Sequence, residues 1–271
     1  MKKITFYISL FAAGVMAITA CKKEAKVLAT YDDSENNAFL RIVHASPNFR
    51  QVFNLPDSFN VYVNGGKVNS PYLTYGTAAG TIFPASTTSF GYMAVKPGLV
   101  QLKLSVNGFA SNNPDSTLLL NLSKVMIAGG TYTLMITDSI QSTRDSSQIF
   151  LPDAYAKPVG TNVGLRFVHA VWNDTATKTV DIFSYARNAT IFSNIKPGGA
   201  TSFSNFGYNA TVDTLYVTRP AAAGTPISGR IVLAKMAFSP TVQRVYTLYY
   251  RGDGNLTTGT KARTLLTYVH N

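Results

Sequence analysis

The residues whose types could do chemistry lie in a nine-residue stretch that the chain contains twice. Residues 40–48 read LRIVHASPN and residues 165–173 read LRFVHAVWN, so each copy carries an arginine three residues before a histidine. Histidine can act as a general acid, a general base or a metal ligand, and arginine binds anions. The stretch is therefore either a site present twice or a scaffold strand present twice.

The rest of the sequence offers few partners for such a site. General acid–base chemistry needs a second titratable group close by, and zinc needs three or four converging ligands. Both glutamates, Glu24 and Glu35, lie near the N-terminus, and the aspartates mostly occur in turn contexts. His44 and His169 occupy equivalent places in separate copies, so we do not expect them to meet. The sequence predicts neither an enzyme nor a metal or cofactor site.

The two residues have a structural interpretation if LRxVHA is a β-strand. Side chains alternate between the two faces of a strand, so His44 shares a face with two large apolar residues. We expect its ring to bond to backbone at the strand end. Arg41 and Arg166 would lie on the outer face or pair with a local aspartate.

Strand patterns dominate the chain. Residues 100–106, VQLKLSV, alternate apolar and polar side chains and end in an Asn-Gly turn, and FNVYV at 59–63 is followed by Asn64-Gly65-Gly66. The other predicted strands are 39–45, 71–75, 88–94, 117–124, 131–138, 164–170, 179–184, 190–195, 201–206, 213–219, 230–236, 244–251 and 263–269. Short strands at regular spacing predict an all-β fold.

More than one strand is repeated. Tyr132-Thr133-Leu134 recurs as Tyr246-Thr247-Leu248, and Phe90-Gly91-Tyr92 recurs as Phe206-Gly207-Tyr208, in the same order. This indicates a duplicated unit about the size of an immunoglobulin-like β-sandwich. We predict two tandem sandwiches, 39–150 and 161–271, joined by the linker 151–160, LPDAYAKPVG, with its two prolines and closing glycine.

One family resembles the first unit. The stretches RIVHASP at 41–47 and FNVYVNG at 59–65 are similar to the opening strands of domain of unknown function family 4397 (DUF4397), and the second unit is a degenerate copy. The resemblance implies a β-sandwich of exported bacterial proteins, often lipoproteins. It implies no activity.

The N-terminus predicts export and a lipid anchor. Residues 1–20 combine a short basic start with an apolar run, as in a signal peptide. Ile18-Thr19-Ala20-Cys21 resembles a lipobox, in which the cysteine is acylated, and Cys21 is the only cysteine of the chain. Residues 21–38 are polar, lack periodicity and read as a flexible tether.

The charge balance favours anionic partners. Without Lys2 and Lys3 the chain has 22 basic against 13 acidic side chains, a net charge of +9. Basic residues do not form runs, and an exported protein rarely meets nucleic acid, so we expect lipid head groups or acidic polysaccharide instead.

Three further features could carry function. Four Asp-Ser/Thr pairs resemble the O-glycosylation signal of some Gram-negative bacteria, although turn chemistry also favours such pairs; the acceptors would be Ser116, Ser139, Thr175 and Thr214. Trp172 replaces the proline of the first copy and could stack on a sugar or cover a contact between the units. Arg251-Gly252-Asp253 spells an adhesion tripeptide, in a context that also predicts a hairpin loop.

Together these features predict a non-catalytic lipoprotein of the outer membrane, facing either the periplasm or the outside. It would bind or support an envelope protein or polysaccharide. A glycan-binding accessory protein using Trp172 is the alternative, and a hydrolase with aspartates around His44 or His169 is a third hypothesis.

Overall fold

A computed structural model describes residues 35–47, 58–69, 72–76, 81–84, 91–106, 118–137, 148–171, 173–175, 177–208 and 212–270. The predicted signal peptide, Cys21 and nearly all of the predicted tether lie outside these ranges. The described chain is built of β-strands with a short 3₁₀ turn at Ile227–Gly229, which confirms the all-β prediction. None of its helical turns has the length or apolar character needed to cross a membrane.

The strands of the first repeat form two sheets. They are β1 Ala38–His44, β2 Ser58–Val63, β3 Gly66–Lys67, β4 Leu73–Thr74, β5 Ile82–Phe83, β6 Met93–Val95, β7 Gly98–Val106, β8 Leu118–Met126, β9 Thr131–Ile136 and β10 Ile149–Pro152. The first inner sheet has the order β10-β9-β1-β5, with β6 also paired to β1. The first outer sheet has the order β3-β2-β7-β8, with β4 also paired to β2.

The second repeat has the same plan. Its strands are β11 Asn162–Val171, β12 Val180–Ser184, β13 Ala189–Ile195, β14 Ser204–Gly207, β15 Asp213–Thr218, β16 Val232–Phe238, β17 Val245–Gly252 and β18 Thr264–Val269. The second inner sheet has the order β14-β11-β17-β18, and the second outer sheet has the order β13-β12-β15-β16.

Strand register relates the two repeats residue by residue. In each inner sheet the LRxVHA strand runs parallel to the Tyr-Thr-Leu strand, with Arg41 opposite Thr133 and Arg166 opposite Thr247. The register also corrects one sequence match. Because Leu40 pairs with Met93 and Leu165 with Ser204, the equivalent of Tyr92 is Phe203 and not Tyr208.

Three apolar clusters arrange the sheets in four layers. One cluster joins the two sheets of the first repeat, and a second joins the two sheets of the second repeat. A third lies between the inner sheets and includes Val43 and Met135 from one repeat and Val168 and Tyr249 from the other. The inner sheets are therefore covered on both faces, and residues 34–271 form one compact unit.

Most predicted strands are confirmed to within a few residues. The exceptions are two-residue strands and the strand between the two repeats. The short strands β3 and β5 were not expected, and β10 runs into the predicted linker. The predicted Asn-Gly turn joins β2 to β3, with φ of 49° at Asn64 and 84° at Gly65. Positive φ at both central residues is what a two-residue hairpin turn of this kind requires.

Candidate functional site

A buried layer of polar side chains lies between the two inner sheets, beside the third apolar cluster. Arg166, only 2% exposed, donates from Nη2 to Asp153 Oδ1 at 2.6 Å and from Nη1 to the Pro152 carbonyl at 3.1 Å. Its Nε donates to Thr247 Oγ1 at 3.1 Å. Three of its N–H groups therefore have partners, and its charge faces a fully buried carboxylate.

Arg41 makes the matching contacts from the first repeat. It donates to the Val269 carbonyl at 3.1 Å and to the Gly91 carbonyl at 3.1 Å. Its guanidinium lies 4.1 Å from the ring centroid of Tyr92 and 4.7 Å from that of Tyr268. Contacts with two ring faces favour a buried cation.

The two arginines are related by the duplication. Arg41 binds the last carbonyl of β18 and Arg166 binds the last carbonyl of β10, so each reaches into the opposite repeat. The Arg166 guanidinium also lies 4.4 Å from the ring of Phe203, the register equivalent of Tyr92. The prediction of an outer-face position is wrong for both, because in each case the inner sheet of the other repeat covers that face. The predicted aspartate partner is found for Arg166 alone.

Asp153 and His270 occupy equivalent positions in the two repeats and meet in this layer. Each follows the last residue of an edge strand, and those last residues pair with Tyr132 and Tyr246. Tyr92 Oη lies 2.8 Å from Asp153 Oδ2 and 2.7 Å from His270 Nδ1. One hydroxyl therefore bridges the carboxylate of the first repeat and the imidazole of the second.

The hydrogen-bond partners determine which atoms of this layer carry the protons. Tyr92 donates to the carboxylate, so His270 Nδ1 must carry the proton that it donates to the Tyr92 oxygen. His270 Nε2 then accepts from Thr247 Oγ1 at 2.7 Å, and Thr133 Oγ1 donates to Asp153 Oδ2 at 2.6 Å. The imidazole is neutral in this arrangement.

The electrostatics agree with neutral Tyr92 and His270. Burial, together with the nearby positive charges of Arg166 and Arg41, lowers the pKa of His270 well below its ordinary value. Burial and the Asp153 carboxylate raise the pKa of Tyr92 far above its ordinary value. Both shifts oppose the ionised forms that a proton relay would use.

Whether this layer can transfer protons to a substrate depends on its exposure to solvent. A Tyr-Asp-His chain has the groups for proton transfer, but the side chains of Asp153 and His270 are both 0% exposed. A cleft of about 370 Å³ adjoins it, lined by Gly130, Tyr132 and Tyr155. Asp153 also lines the cleft, but the residue as a whole is only 4% exposed.

The histidines of the repeated strand are buried apart from this layer. His44 packs its ring 4.6 Å from Phe59, and its carbonyl accepts from Arg251 Nη1 at 2.8 Å. His169 Nε2 lies 3.4 Å from Asp174 Oδ2. The aspartate partner of His169 thus differs from the backbone contact that we expected for such a histidine.

The arginine of the adhesion tripeptide is buried. Arg251 belongs to β17, is 2% exposed, and donates to the Gly76 carbonyl at 3.0 Å as well as to His44. Its guanidinium lies 4.2 Å from the ring of Tyr75. The hairpin loop begins only after this arginine, whereas adhesion through the tripeptide would need an accessible arginine.

The other predicted site residues have mixed positions. Cys21, Ser116, Ser139 and Trp172 lie outside the described residues. Thr175 is exposed, although the side chain of the preceding Asp174 is buried. Thr214 is half-buried in β15, whose neighbours β12 and β16 pair with it on both sides. Over the described ranges, no three His, Cys, Asp or Glu side chains are placed to hold a metal ion.

Sequence reasoning missed Asp153, Tyr92 and His270. Asp153 lies within the predicted linker 151–160, and His270 lies outside the repeated stretches. The repeat relates Asp153 to His270, since each follows a strand that pairs with a Tyr-Thr-Leu strand. That equivalence becomes visible only once the register is known.

Comparisons with known proteins add little. No family model matches the chain, and no curated protein does. A leucine-rich repeat protein from Bacteroides thetaiotaomicron is similar at 12% identity over 84% of this chain and 27% of that one, with a TM-score of 0.22. The Bacillus anthracis TIE protein is similar at 12% identity over 86% and 44%, with a TM-score of 0.22. The chain spans less than half of either structure, and TM-scores this low support no assignment of fold or function.

Proposed function

We propose that this protein is a non-catalytic, lipid-anchored lipoprotein of the cell envelope. Its two immunoglobulin-like repeats would act as one rigid module that binds or supports an envelope component. The observation that carries the proposal is the buried polar layer, which commits Arg41, Arg166, Asp153 and His270 to holding the repeats together.

The layer supports a structural role for these residues over a catalytic one. A general acid or base must lie within hydrogen-bond reach of a substrate, and these groups are enclosed between two sheets. Their hydrogen bonds instead cross from one repeat to the other. Such a junction favours a fixed relative orientation of the repeats, which suits a binding surface that extends over both.

The anchor rests on Cys21 and on the resemblance to DUF4397, whose members are often lipoproteins. Acyl chains contribute about 0.8 kcal/mol per buried methylene, so two or more chains hold a protein stably on a membrane. The outer membrane is the proposed location.

Two measurements test the proposal. The first compares wild-type protein with Cys21→Ala after membrane fractionation, with Cys21→Ala expected in the soluble fraction. Membrane association of Cys21→Ala equal to wild type would place the anchor elsewhere and contradict this part.

The second is a pull-down from envelope extract with the full chain in detergent. A reproducible protein or glycan partner that is retained by Tyr92→Phe supports a binding role separate from the buried layer. If no partner is recovered, or if the chain turns over an envelope substrate in a way that Tyr92→Phe abolishes, the proposal fails.

A further inference from the structure

The fully exposed charged side chains of the described residues are almost all basic. Asp153, Asp181 and Asp213 are buried, and so is the side chain of Asp174. Glu35 is the one fully exposed acidic residue in the described ranges. The exposed basic residues there are Lys67, Lys96, Lys103, Lys157, Arg187, Lys196 and Lys235. The buried aspartates are offset by the buried arginines Arg41, Arg166, Arg230 and Arg251, so the net positive charge of the described residues lies on the surface that meets solvent.

Two of these lysines flank a tyrosine on the outward face of the first outer sheet. Val61 belongs to the core, so its neighbour Tyr62 lies on the outward face, where it is half-buried and its hydroxyl oxygen is shielded from solvent. Tyr62 pairs across β2 and β3 with Lys67, and across β2 and β7 with Lys103. The Lys103 ammonium lies 5.6 Å from the Tyr62 ring centroid. The two lysines are two strand spacings apart, about 10 Å.

Uncharged hydrogen-bonding groups continue this face. Gln101 and Asn121 are exposed, and Asn121 is the register partner of Lys103. No described residue on the outward side of β2, β3, β7 or β8 is acidic. We call the cluster of Tyr62, Lys67, Gln101, Lys103 and Asn121 the Tyr62 face.

The second outer sheet carries a related pair. Tyr216 in β15 is opposite Lys235 in β16, and the ring of Tyr185, 60% exposed, lies 6.4 Å from that of Tyr216. Because the outer sheets are the first and last of the four layers, the two faces point away from each other. A flat membrane could contact only one of them, whereas a long or abundant polyanion could reach both.

We propose that the Tyr62 face binds an acidic polysaccharide. Its carboxylate or sulfate groups would pair with Lys67 and Lys103, a sugar ring would pack on Tyr62, and hydroxyl groups would bond to Gln101 and Asn121. Lysine matches isolated anionic groups, and an aromatic ring offers an apolar surface on which a sugar ring can pack. The inference deepens the proposed function and rests on its binding role.

The test measures binding of the full chain in detergent to polygalacturonate, with dextran as the neutral control. Binding to polygalacturonate alone is expected, weakening as salt rises because ion pairing supplies part of the affinity. Lys67→Gln/Lys103→Gln should weaken it about tenfold. The matched variant Lys96→Gln/Lys157→Gln removes the same charge from exposed sites outside the Tyr62 face and should change it less than about threefold. Tyr62→Ala should weaken binding and Tyr62→Phe should retain it.

Several outcomes would overturn the inference. Equal losses in the two double variants would show attraction by net charge alone, and equal binding to dextran would show that the anionic groups are not recognised. Loss of binding to phosphatidylglycerol vesicles in Lys67→Gln/Lys103→Gln, with polygalacturonate binding unchanged, would make the face a membrane contact. Absence of polygalacturonate binding, with a partner still found in the pull-down, would refute this inference and leave the proposed function standing. Circular dichroism of each variant establishes that it is folded.

Discussion

Replacing Asp153 with alanine tests whether the buried layer joins the repeats. The Asp153 carboxylate accepts hydrogen bonds from Arg166 at 2.6 Å, Thr133 at 2.6 Å and Tyr92 at 2.8 Å. Its loss leaves the Arg166 charge buried without an anion, which typically costs about 3–5 kcal/mol. For a folded unit of this size that corresponds to a fall in Tm of roughly 6–20 °C.

Urea unfolding followed by circular dichroism measures the loss. Asp153→Ala/Arg166→Met removes the stranded charge as well, so it should be more stable than Asp153→Ala. Asp181→Ala is the matched control, because Asp181 forms a second buried pair with Arg230 at 3.3 Å on the second outer sheet. It should also lower stability, but only Asp153→Ala should speed amide exchange in both β10 and β18.

The reasoning is refuted if Asp153→Ala lowers the free energy of unfolding by less than about 1 kcal/mol. It is also refuted if the double variant is no more stable than Asp153→Ala. In either case the charge pair would not be what joins the inner sheets.

Three further predictions concern single residues. The pKa of His270 is lowered in the folded state, so below about pH 6.5 the unfolded chain binds more protons than the folded chain. The free energy of unfolding should therefore fall with acidification, by at most about 1.4 kcal/mol per pH unit. His270→Gln should reduce this slope between pH 7.5 and 5.5 in urea titrations, and an unchanged slope would contradict the assignment. Arg251→Ala should lower the free energy of unfolding by on the order of 3 kcal/mol, because it removes charge-assisted hydrogen bonds; a lower urea midpoint would show this. Wild-type protein should show no arginine-dependent cell adhesion. Gly254→Ala should lower Tm, because a Cβ there would lie 2.7 Å from Asp174 Oδ1, at a cost of about 1–3 kcal/mol; a Tm equal to wild type would show that the loop adjusts freely.

The strand content and the repeat could be predicted because they depend on local patterns. Alternation along 100–106 and the Asn64-Gly65 turn depend on neighbouring residues alone, and both are found in the structure. The sequence match between the Tyr-Thr-Leu strands also survives, since Thr133 and Thr247 both face the arginine of the parallel strand.

The position of the arginines could not be predicted in this way. Alternation places Arg41 on the face opposite His44, but the pattern is the same whether water or another sheet covers that face. The sequence also placed Asp153 in a linker, because its prolines and glycine are typical of one. Its burial depends on Arg166 and Tyr92, which lie 13 and 61 residues away along the chain.

The sequence by itself determined an all-β chain with a duplicated unit, because side-chain alternation and turn residues act over a few positions. Only the tertiary structure decided that the two inner sheets pack face to face, and hence that the arginines of LRxVHA are buried. Packing one sheet on another removes polar groups from water, and those groups must then find partners from distant strands. The same packing leaves the lysines outside, where the Tyr62 face meets solvent.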